Sequence, residues 1–152
     1  MTLDATDRAI TLSGDTSNDG SRNVQVFNIG SSGVVTLTHL NVVSGTASSG
    51  GGIFNAGLLS INDSFFSDNV SSSNLGGGAI YTKKQLLVSR STFSKNQSTR
   101  GGALFVEGMA EVRNSTITGN SANEGSGFHN RGVLTLTNVT AASGCNLHIW
   151  SV

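Results

Sequence analysis

The chain of 152 residues has no proline, a single cysteine, and only 12% charged residues. Each shortage excludes something. Disordered chains are usually rich in charge and proline, and this one has little of either. Nine basic residues against nine acidic ones give a formal net charge of zero, with no basic patch to attract nucleic acid or an anionic membrane surface. No apolar run approaches the roughly 20 residues needed to cross a bilayer, so the chain is not expected to be membrane-spanning itself. The opening MTLDATDRAI lacks the basic and apolar regions of a signal peptide. Cys145 has no partner for an internal disulfide and leaves the redox compartment open. Sustained helical stripes are missing as well.

What the sequence does have is Gly, Ser, Thr and Asn in a repeating order. Phe66-Ser-Asp-Asn69 recurs as Phe93-Ser-Lys-Asn96 and, more loosely, as Ile117-Thr-Gly-Asn120. The pair Gly101-Gly102 matches Gly77-Gly78 and Gly50-Gly51, and in part Gly125-Ser126. Asn96 to Asn120 and Gly101 to Gly125 are equal steps along the chain. Asn69 to Asn96 is longer by three, and the excess lies in VSSSNLG against QSTR. Phe27 to Phe54 is longer by the same amount, which places another three-residue excess in IGSSGVV against AGLL. The unit is therefore about 24 residues, with insertions expected in threes.

Within each unit VVTLTHL, LLSINDS, LLVSRST and VLTLTNV alternate apolar and polar residues, the pattern of a half-buried strand. Four apolar columns run through the repeats. They are Leu37, Ile61, Val88, Val112, Leu136; Val35, Leu59, Leu86, Ala110, Leu134; Val42, Phe66, Phe93, Ile117, Ala141; and Val26, Ile53, Ile80, Leu104, Phe128. Three short strands and their turns fit one unit, and coils stacked about 4.8 Å apart pair each strand with those above and below. This predicts an all-β fold, a short right-handed parallel β-helix of five to six coils with about 24–27 residues each. Residues 1–142 form the single domain, and 143–152 form a C-terminal cap or tail. A leucine-rich repeat shares the period but needs L-x-L-x-x-N, and Leu134-Thr-Leu136-Thr-Asn138 is one residue short.

Gly77-Gly-Ala-Ile80 with Phe93-Ser-Lys-Asn96 and Gly101-Gly-Ala-Leu104 resembles the GGA[I/L] and FxxN repeat of chlamydial polymorphic outer-membrane proteins. The run SGGGIFNAGLLSINDSFFSDN is similar to the wider bacterial surface β-helix proteins. The resemblance covers roughly residues 10 to 140. It implies a pectin-lyase-like β-helix, secreted or exported to the cell surface or outer membrane, acting as an adhesin or autotransporter passenger.

The few charges stack by the same register: Asp63 on Arg90, Asp68 on Lys95, Lys83 on Glu107, and Arg100 on Glu124. Opposite charges one strand apart support the register, whereas catalysis or a hard cation needs converging carboxylates. Polysaccharide lyases resemble one another in an acid cluster with a nearby Arg or Lys base. Asp63 shares its column with Arg90, His39, Asn114 and Asn138 and no second acid, and Glu111 stands between Leu87 and Thr135. His39, His129 and His148 are read as falling in different columns, and Cys145-x-x-His148 alone is too few ligands for zinc. The glycine stretches lack the ending of a P-loop and the helix of a dinucleotide fingerprint. No catalytic, cofactor-binding or metal residue is assigned, and no cofactor.

Five N-x-[S/T] sequons, at Asn62, Asn69, Asn96, Asn114 and Asn138, arise from composition. Asn69, Asn96 and Asn120 are expected at one corner, where Asn tolerates left-handed backbone and stacked amides form a ladder. Thr36 and Thr38 begin an ice-binding-like array that Thr135 and Thr137 end, but Glu111 and Arg113 interrupt it. Leu147, Ile149 and Trp150 are expected to fold over the last coil and cover its open edge. With both ends covered the chain is expected to be a monomer. The function expected is a non-enzymatic extracellular or cell-surface structural or adhesin-like module with a protein or carbohydrate ligand. A carbohydrate-active enzyme and an ice-binding protein are the alternatives.

Overall fold

The computed structural model describes residues 1–6, 8 and 10–149. Strands of two to five residues stack into three parallel sheets of six strands each, plus one two-stranded ladder. Sheet I runs from Thr2–Asp4 through Val34–Thr38, Leu58–Asn62, Gln85–Ser89 and Met109–Arg113 to Val133–Thr137. Sheet II runs from Ile10–Ser13 through Leu40–Val43, Phe65–Ser67, Thr92–Ser94 and Thr116–Thr118 to Thr140–Ala142. Sheet III starts at Phe27–Ile29, continues through Ile53–Asn55, Ile80–Thr82, Leu104–Val106 and Phe128–Asn130, and ends at Leu147–Ile149. No helix among the described residues is long and apolar enough to cross a membrane.

Each coil adds one strand to each sheet, so the inward side chains of successive coils meet. Leu37, Ile61, Val88 and Val112 stand on one another in the expected column and are 0–2% exposed. Phe66 and Phe93 stack at 4.8 Å between centroids, with Val42 above and Ile117 below. Three apolar columns follow the sequence reading, and the fourth needs a correction. Phe27, not Val26, pairs with Ile53, and Ile29 pairs with Asn55. This one-residue shift buries Ile29 to 4% exposure, and the register through Phe54 would have put Asn28 in its place. The insertion in that loop is consequently two residues, not three.

The corners use left-handed backbone in three columns. His39, Asp63, Arg90, Asn114 and Asn138 form the first, between sheets I and II. The second contains Ser44, Asp68, Lys95, Gly119 and Ser143. Gly50, Gly77, Gly101 and Gly125 form the third, with φ of 61°, 72°, 62° and 65°. Their peptides bond in a line, Gly51 N–H to Gly77 O at 3.1 Å, Gly78 to Gly101 at 3.0 Å, and Gly102 to Gly125 at 3.1 Å. The glycine pair is thus a corner of the coil: a Cβ at Gly101 would run into the Leu104 carbonyl oxygen.

Asn69, Asn96 and Asn120 do not take the left-handed backbone themselves. The residue before each of them does, and the Asn side chain turns inward. Asn69 Nδ2 donates to Asn96 Oδ1 at 2.9 Å, and Asn96 Nδ2 to Asn120 Oδ1 at 2.9 Å. The same oxygens accept from the main-chain N–H of the coil before, as Asn96 Oδ1 does from Asn69 at 3.1 Å. The second amide hydrogens reach the carbonyls of Val42, Phe66 and Phe93, each at 3.0 Å. This is the expected ladder, 0–5% exposed. It also commits the side-chain nitrogens of two sequons, Asn69 and Asn96, to the interior. Ser64, Ser91 and Ser115 form a second ladder that sequence reasoning missed: each hydroxyl accepts from the coil before and donates within its own turn.

Among the described residues of the tail, the chain continues the sheet. Leu147–Ile149 adds to the edge of Phe128–Asn130 as the next parallel strand of sheet III, and Cys145 packs against the core beside Gly127. Trp150 lies outside the described residues.

Candidate functional site

The left-handed bend between sheets I and II throws its side chains outward, so His39, Asp63 and Arg90 line one rim of a groove. Next to them the outward column of sheet II supplies the floor: Asn41, Phe65 and Thr92 in direct register. The groove measures about 570 Å³. Thr6 and Arg8 of the first coil line it as well, with the Thr6 hydroxyl 3.3 Å from His39 Nδ1.

Asp63 and Arg90 form the ion pair that the register implied. Arg90 donates from Nε to Asp63 Oδ1 and from Nη2 to Oδ2, both at 2.8 Å. These bonds, with the charges of Arg90 and His39, hold the Asp63 carboxyl below its ordinary value of 3.8. A carboxylate with a depressed folded pKa stabilises the fold fully above that ordinary value, and the contribution is lost as pH falls through the lower folded one. Asp63→Asn is therefore expected to flatten the acid limb of a stability-versus-pH curve. Asp63→Lys is expected to melt below Asp63→Ser, because it sets two cations one strand apart. Equal melting temperatures would remove the pair from the account of the register.

A second acid lies beside His39, outside the column that the sequence aligned. Thr2–Asp4 pairs with Thr36–Thr38, which brings Asp4 Oδ1 within 3.6 Å of His39 Nδ1. The step from Thr2 to Thr36 is well outside the period of the repeat, so no column could have aligned Asp4. Hydrogen bonds from the Thr6 hydroxyl and main chain, with His39 beside it, hold Asp4 below the usual carboxylate range. Both acids are thereby committed: Asp63 to Arg90, Asp4 to Thr6 and His39.

The floor is available for binding. Phe65 is 37% exposed, with an amide on one side (Asn41) and a hydroxyl on the other (Thr92). An exposed ring face between hydrogen-bonding groups, with charged groups along the rim, suits a ligand that has an apolar face and polar edges.

The other predicted pairs divide. Arg100 Nε bonds Glu124 Oε2 at 2.9 Å, as the register implied. Asp68 and Lys95 are in register but form no ion pair, nor do Lys83 and Glu107. Lys83 Nζ instead lies 5.9 Å from the centroids of both Phe54 and Tyr81. The phenol of Tyr81 is pushed up by burial first and then by the Glu107 carboxylate. Glu111 pairs with Arg113 within its own strand, which interrupts the threonine array on sheet I.

The histidine reading also needs correction. His129 and His148 share one outward column of sheet III, because the last step is shorter than the repeat. They end a stack that begins with Phe54, Tyr81 and Phe105, at centroid spacings of 5.4, 5.2, 4.7 and 4.8 Å. Cys145 faces the core, so the C-x-x-H pair does not come together. Phe54, Tyr81, Phe105 and His129 recur at the steps of the repeat, so this outward column is legible in the sequence beside the inward ones.

Residues 63–83 and 90–107 match the family model described as the Chlamydia polymorphic membrane protein (Chlamydia_PMP) repeat. Both matches start at the left-handed corner of Asp63 and Arg90 and end at the column of Lys83 and Glu107, so they occupy equivalent parts of two successive coils. No curated protein and no solved structure matches the chain.

Proposed function

We propose that this chain, which carries polymorphic membrane protein-type repeats on a parallel β-helix, is a non-enzymatic adhesin-like module of the cell surface or outer membrane. The repeat match supports the surface assignment. One observation supports the ligand class: Phe65 lies open in the groove between Asn41 and Thr92, with Arg90, Asp63 and His39 on the rim. A sugar ring offers an apolar C–H face to the phenyl ring and hydroxyls to the amide, the hydroxyl and the charged rim. The partner is therefore a surface carbohydrate. The committed hydrogen bonds of Asp4 and Asp63 favour holding such a ligand over transforming it.

The test is a glycan array probed with the purified chain and with Phe65→Ala. Binding to a defined set of glycans, reduced at least about 10-fold by the substitution at an unchanged melting temperature, is the expected result. An array without binding above background would sink the carbohydrate reading. Release of unsaturated or reducing ends from a polysaccharide panel would put an enzyme in its place.

A further inference from the structure

His129 is the anomaly among the buried side chains. It is 0% exposed, and among the described residues neither of its ring nitrogens has a hydrogen-bond partner. Buried polar groups nearly always have one, because leaving such a group unpaired costs its full desolvation. Two other potential ligands stand beside it. Glu124 Oε2 is 3.6 Å from His129 Nδ1, and the His148 ring stacks on His129 at 4.8 Å. One ligand atom from each of the three residues lies within 4.8 Å of the others.

We propose that Glu124, His129 and His148 form a binding site for a divalent transition-metal ion of the zinc class. Two imidazoles and one carboxylate are a recurrent donor set for such ions, and three protein ligands leave a position open to water. Metal–ligand bonds of about 2.1 Å put tetrahedral donors roughly 3.4 Å apart, which the Glu124–His129 separation nearly meets already. His148 has to turn out of the parallel stack to direct a lone pair at the ion. It is only half-buried on the terminal strand, so it is the ligand free to do so.

Arg100 has two opposing effects. Its bond to Glu124 Oε2 orients the carboxylate, as outer partners of metal ligands do. Its charge, together with that of Arg131, opposes a cation, so the site is a moderate binder and not a permanent structural one. The three ligands come from the Arg100–Glu124 corner, the strand Phe128–Asn130 and the strand Leu147–Ile149. An ion there ties the terminal strand to the coil above it.

Tag-free protein, stripped with a chelator, is titrated with zinc chloride in a calorimeter. One equivalent is expected to bind, to raise the melting temperature, and to slow amide exchange at 147–149. His129→Phe removes both orphan nitrogens and keeps the stack, since Phe105 already occupies that column. His129→Phe and His148→Phe are each expected to weaken zinc binding at least about 10-fold, while His39→Asn binds as the wild type does. If His129→Phe fails to fold, Glu124→Gln at the partly exposed corner gives the same reading. No binding by the wild type, or undiminished binding in all the ligand variants, would overturn the site.

Discussion

Asn96→Ala is expected to cost about 3–5 kcal/mol of unfolding free energy, measured by chemical denaturation. The side chain is 0% exposed and makes four hydrogen bonds. Its Oδ1 accepts from the main chain and the side chain of Asn69, and its Nδ2 donates to Phe66 O and Asn120 Oδ1. Truncation removes all four bonds and leaves the buried Asn69 main-chain N–H without its acceptor. Asn138→Ala provides the contrast. Asn138 also donates to an Asn one coil away, at 2.9 Å, but in solvent, so its loss is expected to cost only about 1 kcal/mol, most of it from placing Ala on backbone at φ 57°. Equal costs at the two positions would show that ladder geometry, and not burial, sets the value. That result would refute the interior seam as a main source of stability.

The second large effect is expected at the glycine corner. Gly101→Ala should destabilise by at least about 3 kcal/mol or prevent folding, because two costs add. The backbone sits at φ 62°, and a Cβ meets the Leu104 carbonyl, which is fixed by the coil. Gly119→Ala isolates the first cost. It has φ 61°, with no atom within 4 Å of an added Cβ, so its expected loss is only about 1 kcal/mol. Denaturation midpoints of the two variants give the comparison directly. Similar losses would mean that the close approach at the corner relaxes freely, contrary to a rigid stack of coils.

The order of the coils was legible because each unit restates the same local requirements. Apolar residues at alternate positions, an Asn after a bend and a glycine at the corner recur once per unit, and several columns keep register together. The Asp63–Arg90 and Arg100–Glu124 pairs followed from that register alone. Where the reading failed, the repeat was irregular or the decision was a balance between coils. Asp4 reaches His39 over a step longer than any regular coil, and His148 reaches His129 over a shorter one. Phe27 displaced Val26 because burying Ile29 outweighed the match of Phe27 to Phe54.

The architecture follows from the residue pattern alone, since a periodic order of buried, polar and glycine positions has only one stacking that satisfies every coil at once. The inward columns and the amide ladder follow for the same reason. What the two ends of the solenoid do was settled instead by long-range packing. There the chain has a single copy of each segment, and pairing is chosen by contacts with one neighbouring coil, without a periodic pattern to reveal it. The groove at His39 and the cluster around His129 both depend on those non-repeating segments. The scaffold was therefore readable from the residues, and the two proposed binding places were not.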